Sequence, residues 1–141
     1  MDRWNNLKSH FEQDDSLRDI IVTSESRDSW ELFFAALQSA EYSHAFTHGG
    51  NIATLPDSID SIWKLQNDAP TLLSVQVGEL LVNCHFFKSY EIEFDIDPKD
   101  INSKTDFVVL FNFLSWLNKS IKSSVVLTHE NSREEVILSI E

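Results

Sequence analysis

The residues best placed to do chemistry lie in one stretch of the chain. Gln76, Asn83, His85, Glu91, Glu93, Asp95 and Asp97, together with Ser74, are polar members of segments in which about every second residue is apolar. Alternate residues on a strand point the same way, about 6.8 Å apart. If these segments pair as strands, all eight side chains share one sheet face. A row of carboxylates at that spacing repels itself unless a cation lies across it. Three readings of the row are open: a solvated face, a ridge that binds a basic protein, and a site for magnesium or calcium through Glu93, Asp95 and Asp97. Calcium loops set their ligands around a turn containing Gly, whereas a straight strand splays them, so no metal is expected. His85 with Glu91 offers an acid–base pair, because an adjacent carboxylate can hold an imidazole in one orientation.

Other reactive side chains are less well arranged. Cys84 and His85 are neighbours in sequence and therefore point to opposite faces of a strand, with Cys84 on the apolar one, where a thiol is inert. His44 and His48 are four apart, but no helical pattern surrounds them and no zinc-protease acid accompanies them. His129 beside Glu130 sits in an expected turn. Gly49, Gly50 and Gly78 are the three glycines. None opens a phosphate-binding strand-to-helix turn, so P-loop and dinucleotide enzymes are excluded and no cofactor is expected. Trp and Phe residues at helical spacing read as core in preference to a base-stacking platform.

The elements that must position the polar row follow from periodicity. From Thr71 the pattern has period two: Leu73, Val75 and Val77 alternate with polar residues, Gly78-Glu79 is a Gly-X hairpin loop, and Leu80 to Phe86 returns. This register sets Val75 opposite Val82, Leu73 opposite Cys84 and Ser74 opposite Asn83. Tyr90, Ile92, Phe94 and Ile96 then alternate with Glu91, Glu93, Asp95 and Asp97. A three-residue loop, Phe87 to Ser89, keeps those carboxylates out of the core, where an unpaired charge costs several kcal/mol. It pairs Phe86 with Tyr90, Cys84 with Ile92, Val82 with Phe94, His85 with Glu91 and Asn83 with Glu93.

Around this meander, Leu17 to Thr23 reads as a strand. Asp28 with Glu31 reads as a capping pattern for a helix whose Trp30, Phe33, Phe34 and Leu37 share one face. Tyr42 to Thr47 is a strand closed by Gly49, Gly50 and Asn51. Thr54 with Asp57 caps a helix burying Ile59, Ile62 and Trp63. Ser103 with Asp106 caps the longest helix, whose polar stripe is Asn112, Ser115, Lys119 and Lys122. A final hairpin turns at Glu130 to Ser132 into a strand with Val136, Leu138 and Ile140 facing inward. Met1 to Glu12 forms a short peripheral helix with Trp4, Leu7 and Phe11 on one side. The expected fold is a single α+β domain over residues 1–141: a mainly antiparallel twisted sheet with a central three-strand meander at 71–97, and helices at 28–40, 57–66 and 104–121 on its apolar face.

Composition sets the sign of any partner. The 141 residues carry 11 Lys+Arg against 23 Asp+Glu, a formal net charge of −12. The acidic excess is shared by both halves of the chain, and 42% of residues are hydrophobic, enough for a core without staples. Nucleic-acid affinity comes largely from Lys and Arg neutralising phosphates, so DNA and RNA are disfavoured as partners and a cationic protein is favoured. No apolar run is long enough for a membrane span, no secretory signal is visible at the start, and one cysteine suits a reducing compartment. The expected location is cytoplasmic.

Asn83-Cys84-His85-Phe86-Phe87, the string Glu91-Ile92-Glu93-Phe94-Asp95-Ile96-Asp97-Pro98 and Leu127-Thr128-His129-Glu130-Asn131 make the arrangement similar, over about residues 17 to 140, to small uncharacterised bacterial proteins. In size, acidity and want of a catalytic motif the chain also resembles immunity proteins of bacterial toxin systems, such as contact-dependent inhibition or type VI secretion. That resemblance implies a non-enzymatic protein that binds and occludes a cationic toxin domain, for example a nuclease. The toxin-binding surface would be Gln76, Asn83, His85, Glu91, Glu93, Asp95 and Asp97, with Phe87 and Trp4 as aromatic anchors. The rival readings are an enzyme using His85 and Glu91, and an adaptor binding through the edge of the last strand near Val136.

Overall fold

The computed structural model describes residues 3–23, 27–88 and 91–141. Its elements are α1 (Arg3–Leu7), β1 (Arg18–Thr23), α2 (Asp28–Ser39), β2 (Ser43–His48), β3 (Asn51–Ala53), α3 (Ile59–Gln66), β4 (Thr71–Val77), β5 (Leu80–His85), β6 (Glu91–Ile96), α4 (Lys104–Ile121), β7 (Val125–His129) and β8 (Ser132–Ile140), with 3-10 turns at Lys8–Phe11 and Pro98–Asp100. The strands form one antiparallel sheet in the order β3-β2-β4-β5-β6-β1-β7-β8. This is the expected α+β architecture. The β4–β5 hairpin has the register read from the sequence, Leu73 opposite Cys84 and Ser74 opposite Asn83. Gly78 sits at φ +62°, which a Gly-X hairpin loop requires and a side chain resists.

One apolar cluster unites sheet and helices. Ile20, Val22, Leu73, Val75, Val82, Cys84, Ile92, Phe94 and Leu127 supply it from the strands. Trp30, Phe33, Phe34 and Leu37 of α2, Ile59 and Ile62 of α3, and Phe107, Leu110, Phe113, Leu114 and Leu117 of α4 cover them. The exposed side of α4 includes Asn112 and Lys119, as the stripe predicts, while Lys122 leaves the helix as its left-handed C-cap at φ 60°.

Several local expectations are corrected. Asp28 is the first residue of α2 and not its cap; Arg27 precedes it with no side-chain capping bond. The cap of α3 is Ser58, whose hydroxyl accepts from the Ser61 amide at 3.2 Å, in place of Thr54. Asn51 opens β3 where a closing turn was expected. Trp4 is no free anchor: its ring lies 5.9 Å from Phe107 and 6.0 Å from Phe11, holding the N-terminal segment against α4 and away from the acidic sheet face.

The β5–β6 register differs most. His85 stands opposite Glu93, Cys84 opposite Phe94 and Asn83 opposite Asp95, a shift of two residues from the expected Cys84–Ile92 pairing. The expected Phe86–Tyr90 pair involves a residue outside those described. A shift of two keeps every side chain on its face, so burying Ile92 and Phe94 does not distinguish the registers. The helices do. Phe86 is buried between Trp30, at 5.3 Å, and the rings of Phe34 and Phe46. Its carbonyl accepts from Trp63 Nε1 and Gln66 Nε2, each at 3.3 Å, and the Lys88 carbonyl accepts from Trp30 Nε1 at 3.0 Å. The chain is thus tied to α2 and α3 after β5, and the connection to β6 lengthens.

Candidate functional site

The face of the sheet away from the helices carries the polar row, and strand order brings a second set of residues beside it. β1 runs next to β6 with Asp19 opposite Asp95, Ile21 opposite Glu93 and Thr23 opposite Glu91. The acidic residues of β6 therefore look across at Asp19. The expected ridge is a partly covered cleft.

The start of β8 forms the cover. Its ladder with β7 is broken by bulges: Leu127 faces Leu138, Thr128 faces Val136, and His129 faces Ser132. Residues 133–135 are extra, and such bulges bend a strand and re-aim its side chains. Arg133 reaches Glu91 on β6, with Nη1 donating to Oε2 at 2.8 Å and Nη2 to Oε1. Three strand spacings separate β8 from β6, about 14 Å, more than an arginine side chain spans. The bulged segment must therefore lie over the face. Beyond the bulge the expected alternation is displaced: Val136 is half exposed and Ile137 joins the core.

Beneath this cover lies a cleft of about 350 Å³ lined by Asp19, Ile21, Lys88, Glu93, Asn131, Arg133 and Glu134. Ile21 is 4% and Asp19 7% exposed, so this part of the outer face is nearly dry. Asp19 Oδ2 accepts from the Asn131 amide at 2.9 Å. Burial nevertheless raises its carboxyl above the ordinary aspartate value, aided by Asp95 and Glu130. Glu93 is raised too, by burial and by the charges of Asp19 and Glu91. Among the described residues Glu93 makes no hydrogen bond or ion pair. Two partly desolvated carboxylates thus share one cleft, an arrangement that favours an incoming cation.

The other predicted residues of this face are already partnered. Glu91 is held by Arg133, whose hydrogen bonds lower its carboxyl below the usual glutamate value. The His85/Glu91 acid–base pair is corrected: His85 Nε2 bonds Asp95 Oδ2 at 2.5 Å, and that bond raises the imidazole pKa against the opposing effect of burial. Asp95 Oδ1 accepts from Asn83 Nδ2 at 3.4 Å, and Asn83 Oδ1 accepts from Ser74 Oγ at 2.9 Å, so Ser74, Asn83, Asp95 and His85 form one chain of bonds across three strands. The ring of Phe87, 66% exposed, stacks on His85 at 5.1 Å.

Two predicted residues stand apart. Gln76 folds its amide onto the hairpin loop, donating to the Gly78 carbonyl at 2.8 Å. Asp97 lies beyond β6 and caps the Pro98–Asp100 turn, Oδ1 accepting from the Lys99 amide at 3.0 Å. Cys84 is fully buried, and burial pushes its thiol well above the ordinary value. Asp19, Asn131 and Arg133 were not read as site residues. Their sequence signals are a carboxylate at the head of the apolar run 20–22 and one arginine among the carboxylates at 130–135. Among the described residues no group of three or more His, Cys, Asp or Glu side chains is arranged to hold a metal ion, and no helix is long and apolar enough to cross a membrane. The chain matches no protein-family model, no curated protein and no solved structure.

Proposed function

We propose that this chain is a cytoplasmic immunity protein of a bacterial toxin system, one that binds and occludes a cationic toxin domain through the cleft between β6, β1 and the bulge of β8. The observation that carries the reading is the pair Asp19 and Glu93, two carboxylates in one partly dry cleft, with Glu93 left without a hydrogen bond or ion pair among the described residues. A lysine or arginine side chain of a partner would satisfy both. Glu134 adds charge of the same sign at the rim, while the two cations of the lining, Arg133 and Lys88, both pair with Glu91. Phe87 stands exposed on His85, the cross-strand neighbour of Glu93, and supplies the aromatic surface on which guanidinium groups stack.

Physical chemistry assigns different tasks to these parts. A net charge of −12 accelerates encounter with a basic surface and rejects nucleic acid. Desolvated anchors such as Phe87 hold the complex once formed. A nuclease domain is the natural example of the partner, since a groove built to attract phosphates attracts carboxylates as well.

The test is affinity capture from a bacterial lysate on the wild-type chain and on a Glu93→Lys variant. Each captured basic protein is identified by mass spectrometry, then expressed in cells with and without this chain. The reading expects a basic protein that is toxic alone, is neutralised by the wild-type chain and escapes Glu93→Lys. A toxin neutralised equally by both forms would move the interface off the cleft, and the absence of any toxic protein among those captured would end the immunity reading.

A further inference from the structure

The N-terminal segment is fastened to the sheet at a point independent of the acidic cleft. His10, in the 3-10 turn after α1, meets His129 at the end of β7, Nδ1 to Nε2 at 3.0 Å. Beside them the guanidinium of Arg18 is 1% exposed. It donates to the carbonyls of His10 at 2.7 Å, Glu12 at 3.1 Å and Leu17 at 3.0 Å, and to the hydroxyl of Ser16 at 2.8 Å. Asp14 pairs with it at 3.3 Å. Upstream, Trp4 and Phe11 pack on Phe107 of α4.

A hydrogen bond between two imidazoles needs one N–H facing one bare nitrogen. When both rings carry a proton on each nitrogen, two N–H groups face each other and the bond is lost. Arg18 adds a third positive charge to the cluster. Glu135 of β8 and Asp14 of the preceding loop favour a proton on His129, while burial, Arg18 and His10 disfavour it, and the balance lowers its pKa below the ordinary histidine value. Glu130, in the turn after β7, is already occupied by the Leu17 amide at 2.9 Å.

We propose that the His10–His129 contact is a pH-sensitive clasp, closed while one of the two facing ring nitrogens is bare and opened when mild acid protonates that nitrogen. On opening, residues 3–11 leave α4 and Arg18 gives up the His10 carbonyl while keeping Asp14 and Ser16, so the hinge falls between His10 and Asp14. Opening uncovers Phe107 and the apolar side of the N-terminal segment. The sheet and the acidic cleft stay in place.

The experiment is amide hydrogen exchange on the intact protein, corrected for intrinsic chemistry, between about pH 7.5 and about pH 5.5, the range in which histidine changes charge. Protection at residues 4–12 should fall by about fivefold, the net worth of one lost hydrogen bond, while β1, β6 and β7 keep theirs. A His129→Gln variant, which retains a neutral partner for His10, should lose this pH dependence. Unchanged wild-type protection across the range, or the same pH dependence in His129→Gln, overturns the clasp. NMR titration of the wild-type protein gives an answer that needs no variant. The imidazole of His129 and the indole N–H of Trp4 should move with one midpoint, and a Trp4 signal indifferent to that midpoint contradicts the proposal.

Discussion

Arg133→Ala should unfasten the bulge of β8 from β6, and its cost can be worked from burial. Glu91 is 7% exposed in its side chain and Arg133 is 51% exposed. Removing one member of a fully buried ion pair costs about 3–5 kcal/mol, because the other charge stays behind unpaired. Here the removed member is half in water and Lys88 Nζ, at 3.9 Å from Glu91, offers partial compensation. The cost should therefore fall to that of a buried polar group left unsatisfied, about 1–3 kcal/mol. For a chain of this size a loss near 2 kcal/mol lowers Tm by roughly 6 °C and the urea midpoint by roughly 1 M. The pH dependence has a definite sign. Arg133 lowers the carboxyl of Glu91 in the folded state, so its contribution is complete above the ordinary glutamate value of 4.5 and is lost as pH falls through the lowered one. Urea unfolding of wild type and Arg133→Ala at about pH 7 and about pH 3.5 checks both parts, with exposed Glu134→Ala as the control. A loss under about 0.5 kcal/mol at neutral pH, the ordinary range of surface substitutions, would refute the reasoning. So would an equal loss at acid pH.

Other consequences follow from the same face. Glu93→Gln should stabilise the protein at neutral pH, because burial and neighbouring carboxylates raise the Glu93 carboxyl and its ionisation opposes folding. That gain should vanish in urea unfolding below the ordinary value of 4.5, where both states are protonated. Phe87→Ala should leave stability within about 0.5 kcal/mol, since the ring is 66% exposed, yet weaken capture of a cationic partner. Cys84→Ser should cost about 1–3 kcal/mol by placing a hydroxyl among apolar neighbours, and the native thiol should resist a thiol reagent until the protein unfolds.

The legible and illegible parts of this chain divide by range. Local patterns carried the elements: the period-two alternation of Leu73, Val75 and Val77, the Gly78-Glu79 loop, the apolar face of Trp30, Phe33, Phe34 and Leu37, and the Ser103 cap each appear where periodicity and turn chemistry place them. The β5–β6 register was not legible, because a two-residue slip preserves both faces and the deciding bonds, from Trp30, Trp63 and Gln66, come from distant helices. The site was half legible for the same reason. Asn83, His85, Glu91, Glu93 and Asp95 share a face as the alternation requires, but their partners Asp19, Asn131 and Arg133 arrive through the central position of β1 and the bulge of β8, which no local pattern encodes. Gln76 and Asp97 alternate correctly in sequence yet serve a hairpin loop and a 3-10 cap.

The central claim is that the β6–β1 cleft, and not acidity in general, receives a basic side chain. NMR titration of the labelled protein with an oligolysine peptide tests it most directly. The account predicts shifts concentrated at Asp19, Glu93, Asn131 and Phe87, weakened by salt and by Glu93→Gln. Shifts spread over the exposed carboxylates of the helices, or a cleft left unmoved by the peptide, would contradict it.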